Sequence, residues 1–393
     1  MTEHSSLRSL GILHILNDGF YASLFLFLPF LTDEFGMSLT QAGLLGTVVN
    51  SIGIFCALPA GYLTTRIGGI KLLILSVILY GIGYIGTGLA STYPWLFPMF
   101  VIAGIGFGFF HPVAFGLVTR ISTAGNRGKN MGNFTAVGDV GKIGISSLLT
   151  FIVVAIGWRQ TAMIYGGVAI TIALVFVVFL EKQHHIVEKS TGQNALVGMW
   201  DIFVHPRFFL AMLTSFLDVF SGASLFVFLP FLLLARGIDA AFLGTFSAVF
   251  FLGNLFGKSV LGRFADRFKS AKVIIASELC MAVCIVALAL STSIVVIVFC
   301  SVILGMFTKG TVPVIQTMVA ESSDHHGQFE KSFAVSGLIG SIALTIAPVT
   351  LGVIADQWGI GAAFYAMAVT AALAIIPAFF FQYSQTQLLH TGS

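Results

Sequence analysis

The chain has 393 residues, of which 57% are hydrophobic and only 9% are charged, and its mean hydropathy is +0.99. A soluble globular domain carries roughly a quarter charged residues, so this composition excludes one and predicts that lipid surrounds most of the chain. The net charge of +3 is too small to indicate a nucleic-acid partner. The four cysteines lie in apolar runs without the spacing of a metal site, so we expect no metal and no cofactor.

Long apolar runs follow one another along the chain and show no strand-like alternation. About 20 mostly apolar residues are enough for a helix to cross roughly 30 Å of hydrocarbon. The fold class predicted is therefore an all-α membrane protein of twelve transmembrane helices, at residues 10–31, 41–61, 71–91, 94–119, 131–156, 160–180, 208–234, 240–262, 272–291, 294–320, 331–355 and 360–382. The longest polar connection predicts the domains: an N-terminal six-helix half at 1–180, a cytoplasmic linker at 181–207 and a C-terminal six-helix half at 208–393.

Lys and Arg side chains are distributed unevenly between alternate loops. If both termini face the cytoplasm, fourteen of them fall in or near inner loops and only Arg159 and Arg236 fall in outer loops. This excess predicts a multi-pass protein of the cell inner (plasma) membrane with both termini cytoplasmic. We expect a monomer in the lipid bilayer.

A decapeptide occurs twice, half a chain apart. The segment "ASLFLFLPFL" at 22–31 returns as "ASLFVFLPFL" at 223–232, with nine of ten positions identical and an offset of 201. Further pairs hold nearly the same register: Gly61 and Gly262, Arg66 and Arg267, Gly104 and Gly305, Pro112 and Pro313, Gly138 and Gly337, Gly141 and Gly340. A register kept over several spans predicts two structural copies related by an axis along the membrane normal.

The loop after the second span of each copy carries a motif, "GYLTTRIGGIK" at 61–71 and "GRFADRFKSAK" at 262–272. With this motif the chain resembles the major facilitator superfamily along its whole length. The resemblance implies that these loops act as an inner gate, and its residues match Gly61, Arg66, Gly262, Asp266 and Arg267 here. Thr65 stands where the family has an acid, so the first copy departs from the pattern.

Two further segments, "HILNDGFYASL" at 14–24 and "GFGFFHPVAFGLVTRIS" at 106–122, look like the fosmidomycin-resistance branch of drug exporters. The similarity consists of a His-x-x-Asn-Asp in span one and a His-Pro in span four, and it implies export. Span five reads "GDVGKIGISS" at 138–147 and lacks the Gly-Pro pair that is frequent in proton-antiporting exporters. Its glycines predict close helix packing.

Six ionisable side chains lie about ten residues inside their spans, which is about 15 Å or half the hydrocarbon thickness. They are Asp18, His111, Asp139, Lys142, Asp218 and Lys309. A charge at that depth costs at least about 2.5–3.5 kcal/mol on insertion scales, so we expect these groups to face a shared cavity or one another. Asp139 and Lys142 are spaced i, i+3, so mutual neutralisation on one helix face is an open alternative.

Two lysines on different helices favour an anionic or zwitterionic substrate. The residues expected to contact it are Lys142, Lys309, His111, Asn17 and Asp218. The residues expected to couple transport to protons are Asp18, Asp139 and His111, with Asp18 first because His14 and Asn17 lie beside it. Glu278 and Lys258, nearer the span ends, are expected at the membrane interface or a gate. Internal ion pairs that only hold helices together, and a His111 bonded within the core, remain alternatives.

The sequence contains no nucleotide-binding loop and no grouping typical of a catalytic site, which predicts that the chain is not an enzyme and draws on an ion gradient. We expect a proton-coupled secondary active transporter of a small anionic or zwitterionic organic compound, working by alternating access. Its partners are then the substrate, protons and lipid. One direction is drug or metabolite efflux, and the alternative is proton-symport uptake of an organic anion such as a metabolite or siderophore.

Overall fold

The computed structural model describes residues 3–123, 126–180, 205–323 and 329–391, and every regular element in these ranges is helical. Within them, twelve helical segments are long and apolar enough to cross a membrane. They coincide with the twelve runs predicted, so the all-α fold class and the number of spans are confirmed. Apolar side chains on all sides of these helices explain why helices form, since only intra-segment hydrogen bonds satisfy the backbone in lipid.

Seven helices form the first part of the described chain: α1 (Glu3–Leu26), α2 (Leu28–Phe35), α3 (Leu39–Ile67), α4 (Gly69–Gly88), α5 (Tyr93–Ile121), α6 (Arg127–Ile156) and α7 (Trp158–Leu180). Seven more follow: α8 (Pro206–Ala223), α9 (Leu225–Ala235), α10 (Leu243–Arg267), α11 (Ser270–Leu290), α12 (Ile294–Ser323), α13 (Phe329–Trp358) and α14 (Ile360–Thr391). A short 3₁₀ turn, Ala240–Phe242, precedes α10.

Contacts divide the chain into two compact units. The N-terminal unit contains Met1–Thr191 and Ile238–Ala248, and the C-terminal unit contains Gly192–Gly237 and Val249–Ser393. The short segment joins the N-terminal unit through Thr150 of α6, whose hydroxyl donates to the Ala241 carbonyl at 2.8 Å and accepts from the Gly244 amide at 3.0 Å. The start of α10 is thus tied to α6.

The repeated decapeptide lies at a helix break in both copies. In the first copy α1 ends at Leu26 and α2 begins at Leu28, with Pro29 in the first turn of α2, where its missing N–H is not needed. In the second copy the break is at Ser224, and Pro230 lies inside α9. The sequence predicted one helix in each place. In the first copy the structure has two because Pro29 cannot donate the hydrogen bond that would continue α1. In the second copy the break at Ser224 lies six residues before Pro230, so the missing proline donor does not account for it.

Glycines let α6 pack directly against α1. A Cβ at Gly138 would stand 2.6 Å from the His14 ring and 2.8 Å from Asp18 Oδ2, and one at Gly141 would collide with the Ile15 carbonyl. The close approach predicted from "GDVGKIG" is therefore present. Its counterpart in α13 is looser, because Gly337 has nothing within 4 Å of the same position.

Candidate functional site

Three helices of the N-terminal unit place charged groups around one aspartate. Asp18 of α1 is 3% exposed, and the Lys142 ammonium of α6 lies 2.9 Å from its Oδ2. The same ammonium donates to Asp139 Oδ1 at 3.1 Å, one turn away on α6. The predicted contact between Asp139 and Lys142 is thus present, and Lys142 lies between two carboxylates.

The other oxygen of Asp18 faces three more polar groups. Asn17 Nδ2 donates to Asp18 Oδ1 at 3.0 Å, His111 Nε2 of α5 lies 3.2 Å away, and His14 Nε2 lies 3.4 Å away. We call the six residues Asp18, Asn17, His14, His111, Asp139 and Lys142 the Asp18 cluster. Five of them are among the substrate-binding or proton-coupling residues expected from the sequence.

His14 has a defined orientation in this cluster. Its Nδ1 is 2.8 Å from the Phe134 carbonyl oxygen, and a carbonyl only accepts, so Nδ1 carries the proton. In the neutral ring Nε2 is then the unprotonated nitrogen, and it is buried without a hydrogen-bond partner. This nitrogen faces Asp18 Oδ1 at 3.4 Å.

Aromatic rings enclose the cluster. His14 stacks on Phe134 with ring centroids 4.2 Å apart, and Phe107 lies edge-on to His111 at 5.0 Å. Tyr21 stacks on Phe107 at 4.2 Å and donates its hydroxyl to Asn50 Oδ1 at 2.8 Å. Sequence reasoning missed the pair formed by Tyr21 and Asn50. The available signals were a tyrosine one turn after Asp18 and a lone asparagine well inside span two.

The charges of the cluster do not cancel. With both histidines neutral, two carboxylates and one ammonium leave one net negative charge, and one added proton brings the total to zero. The ligand atoms of His14, Asp18 and His111 lie within 4.8 Å of one another, close enough to hold a metal ion. The Lys142 ammonium, 2.9 Å from Asp18 Oδ2, repels a metal ion at this place.

A second buried acidic site lies in the C-terminal unit. Asp218 of α8 is 3% exposed and Glu278 of α11 is 0% exposed, and their side chains contact each other. Lys309 of α12 is exposed and attracts Asp218 electrostatically. Glu278, expected at the membrane interface or at a gate, is buried eight residues after α11 begins at Ser270, and that expectation stays a prediction.

The structure describes the side chains of only some of the residues expected at the gate. Arg66 lies over the Tyr62 ring at 5.3 Å and Arg267 over the Phe268 ring at 5.7 Å. Gly61 and Gly262 lie inside α3 and α10, and the side chain of Asp266 is outside the described residues. The gating role of these five residues stays a prediction.

Twelve apolar spans with ionisable side chains buried deep inside them define a multi-pass membrane protein with a charged interior. The chain belongs to the Major Facilitator Superfamily, whose family model matches residues 10–234 and 211–390. This confirms the family inferred from the gate motif, and it makes the chain a transporter rather than an enzyme.

Two curated proteins of the genus Cupriavidus are similar to this chain. The probable sulfoacetate transporter SauU of Cupriavidus necator is 25% identical over 61% of this chain and 59% of its own length. The probable 4-methylmuconolactone transporter of Cupriavidus pinatubonensis is 24% identical over 67% of this chain and 63% of its own length. The match thus spans less than two thirds of each relative.

Solved structures support the same fold. A bacterial homologue of the human lysosomal transporter Spinster, inward-facing and unoccupied, superposes with a TM-score of 0.76 at 17% identity, over 99% of this chain and 98% of that one. A point variant of the nucleoside transporter NupG superposes with a TM-score of 0.77 at 12% identity, over 96% of this chain and 99% of that one.

Proposed function

We propose that this chain carries a small organic anion across the membrane together with a proton, by alternating access. The observation that carries the proposal is the position of Lys142, whose ammonium lies 2.9 Å from Asp18 and 3.1 Å from Asp139. An ammonium is the group in the Asp18 cluster that binds an anion, and both of its present partners are anions. Substrate and Asp18 therefore compete for one cation.

This competition couples the proton to the anion. A proton delivered to Asp18 by His14 or His111 neutralises the carboxylate and weakens its hold on Lys142, which frees a donor for the substrate. Conversely, an anion bound at Lys142 leaves Asp18 without its cation and favours the protonated acid. Each ligand strengthens the binding of the other, and by linkage the strengthening is reciprocal.

The charge count supports co-transport as well. The empty cluster holds one net negative charge, which repels an anion, and the protonated cluster holds none. A carrier needs its ligands to alter the balance between inward- and outward-open states. Protonation of the cluster is a change of that kind, because it breaks or makes the link between α1 and α6 at Asp18 and Lys142.

The names of the relatives support the substrate class. Both are named as transporters of small organic molecules, and sulfoacetate is an organic anion. Lys142 supports the same class independently, because it is a cation in a partly buried site with a side chain 19% exposed. Lys309, exposed on α12, is proposed as a second substrate contact on the sequence argument.

Export by proton antiport is the second candidate, and one observation favours it. The His-x-x-Asn-Asp and His-Pro segments, on which the resemblance to the fosmidomycin-resistance branch rests, both contribute to the Asp18 cluster. In antiport, proton and substrate would exclude each other instead of binding together.

Flux measurements separate the two candidates. Purified protein is first tested for thermal stabilisation by a panel of small carboxylates and sulfonates that includes sulfoacetate, and a stabilising anion is then labelled and followed in proteoliposomes under an imposed pH gradient. Symport predicts accumulation on the alkaline side and antiport predicts accumulation on the acidic side, and a protonophore abolishes both. Stabilisation by no member of the panel would contradict the anion proposal, and flux insensitive to the gradient would contradict proton coupling.

Two variants assign the roles. Asp18→Asn should lose gradient-driven accumulation but keep substrate exchange, since exchange needs no net proton movement, while Asp33→Asn at an exposed position of α2 should behave as wild type. Lys142→Gln should weaken anion binding at least about tenfold, or about 1.4 kcal/mol, and Lys129→Gln at the exposed start of α6 should not. Accumulation that persisted in Asp18→Asn would move the coupling role to Asp139 or Asp218.

The distribution of Lys and Arg further supports placement in the plasma membrane with cytoplasmic termini. In a background without native cysteines, single cysteines at positions 269 and 236 should label from opposite sides of sealed cells. Labelling from the same side would contradict this orientation.

A further inference from the structure

Two acidic side chains meet inside the C-terminal unit on helices that are distant in sequence. Asp218 and Glu278 are both buried and contact each other, and Asp218 also contacts the Thr311 hydroxyl of α12. The family motifs in the sequence include neither the pair nor Glu278. The function proposed above places its proton at Asp18, names Asp218 only as an alternative and does not use Glu278.

The backbone brings the two acids together through a glycine. A Cβ at Gly222, one turn after Asp218, would stand 3.2 Å from Thr308 of α12 and 3.8 Å from Met281, which lies one turn after Glu278. The absence of a side chain at Gly222 therefore lets α8 approach the junction of α11 and α12. The contact between the carboxyl groups follows from this approach.

If both carboxyl groups were ionised, their buried oxygens would lack hydrogen-bond donors. Carboxylates only accept hydrogen bonds, and both oxygens of Glu278 and Oδ1 of Asp218 are buried with no donor. Like charges in contact and removed from water also repel each other strongly. One proton between the two groups turns the pair into a donor and an acceptor and removes the repulsion.

The other charged groups around the pair are few. Lys309 of α12 attracts Asp218 from an exposed position, and α10, which packs against α12, carries Lys258. The remaining neighbours of α8 bring no titratable side chain near the pair, since residues 225–235 of α9, 337–348 of α13 and 366–381 of α14 hold none. The environment thus offers one nearby positive charge against two acids.

We propose that Asp218 and Glu278 share one proton in the folded protein and form a proton-binding site in the C-terminal unit, separate from the Asp18 cluster. The pair then carries a single negative charge, matched by Lys309. The shared proton is a property of the folded protein at rest. This proposal can therefore be tested independently of the proton-coupled anion transport proposed for the Asp18 cluster.

The dependence of stability on pH tests the proposal. The folded pair retains a proton that the separated acids of the unfolded chain release at neutral pH, so raising the pH favours unfolding. One retained proton changes the unfolding equilibrium constant tenfold per pH unit. In Glu278→Gln the amide donates to Asp218 in place of the shared proton. The dependence of the unfolding equilibrium constant on pH should therefore be weaker in this variant than in wild type by about one proton. Unfolding in detergent from weakly acidic to alkaline pH measures it.

Glu34→Gln is the matched control, because Glu34 is exposed and pairs with Arg159 at 3.0 Å, far from the pair in sequence. It should keep the wild-type slope. Equal slopes in wild type and Glu278→Gln would overturn the proposal.

Infrared spectroscopy gives a second readout that does not depend on unfolding. At neutral pH the wild-type protein should show the carbonyl stretch of a protonated carboxylic acid, and the double variant Asp218→Asn/Glu278→Gln should lose the intensity of one such group. Identical spectra would overturn the proposal. If the double variant does not fold, the absence of any such band in the wild-type protein would overturn it as well.

Discussion

The first spans of the two halves carry aspartates at nearly equivalent places, Asp18 and Asp218 at an offset of 200, with partners of opposite charge. Asp18 lies 2.9 Å from the ammonium of Lys142, whereas Asp218 contacts the acid Glu278. The register that pairs Gly138 and Gly141 with Gly337 and Gly340 places Ser341 where Lys142 would be repeated. The two copies therefore share a scaffold and the place of one acid, but not the means by which its charge is matched.

The surroundings of the two aspartates differ in the same way. In the N-terminal unit, Tyr21 fills the space beside Asp18 and stacks on Phe107 at 4.2 Å. At the offset of 201, the corresponding residues are Gly222 and Thr308, and there the missing side chain lets helices approach. One half matches its buried aspartate with a cation, and the other brings a second acid to it. This contrast teaches that the repeat fixes helix positions and leaves the site chemistry free to differ.

Removing the cation should have the largest effect on stability. In Lys142→Gln the carboxylates of Asp18 and Asp139 lose their shared partner, and breaking a buried ion pair costs about 3–5 kcal/mol. The free energy of unfolding should fall by about that amount, measured by denaturation in detergent. Adding Asp139→Asn should recover part of the loss, since it removes one of the two carboxylates that lose the ammonium. A double variant no more stable than Lys142→Gln would contradict the pairing.

Neutralising the two aspartates should give unequal results. Asp18→Asn loses a hydrogen bond to a charged ammonium and should cost about 2–3 kcal/mol of unfolding free energy. Asp218→Asn replaces a carboxyl group by an amide that donates to Glu278, and its change should stay within about 1 kcal/mol. Denaturation of both variants at one pH makes the comparison. Equal losses would show that the two aspartates have equivalent partners.

Adding a methyl group should have different effects at the tightly packed Gly138 of α6 and at the loosely packed Gly337 of α13. The Cβ of Gly138→Ala would meet His14 at 2.6 Å, so this variant should lose about 2 kcal/mol through overpacking. Gly337→Ala, its counterpart in open space, should be neutral or gain up to about 1 kcal/mol from better helix propensity. Thermal unfolding in detergent measures both. A stable Gly138→Ala protein would contradict the close packing of α6 on α1.

The smallest effect should come from the tyrosine that the second half lacks. Tyr21→Phe keeps the stacking on Phe107 and loses the hydrogen bond to Asn50, which should cost about 1 kcal/mol. Tyr365→Phe, at a 41% exposed position of α14, is the control and should change stability little. Denaturation midpoints measure both. An unchanged midpoint for Tyr21→Phe would show that the hydrogen bond from Tyr21 to Asn50 does not stabilise the site.

The sequence was sufficient to predict the spans and much of the Asp18 cluster. Apolar runs long enough to cross the bilayer predict the positions of the helices. Counting residues along each span then gives the depth of Asp18, His111 and Lys142. A shared depth and a high cost of exposure to lipid then require such groups to meet. The contact between Asp139 and Lys142 needed only the i, i+3 spacing on one helix.

The pair of Asp218 and Glu278 could not be predicted in the same way. Depth along a helix says nothing of the direction in which a side chain points, and that direction depends on how α8, α11 and α12 pack. The glycine that permits the contact, Gly222, belongs to no charged motif. The helix break at Ser224 was missed for a related reason, because it lies six residues before Pro230 and the composition around it is that of a continuous helix.

The single ammonium of Lys142 between two carboxylates also bears on how the membrane potential acts on the proposed transport cycle. A unit charge that crosses the full membrane potential gains or loses about 2.3 kcal/mol per 100 mV. Under the proposed co-transport, one proton moving with a monoanion carries no net charge across the bilayer, so voltage neither drives nor opposes the cycle. One proton moving with a dianion such as sulfoacetate carries one net negative charge inward, against an inside-negative potential. The number of protons taken up with each anion thus decides whether the cell's voltage opposes accumulation or leaves it to the pH difference alone.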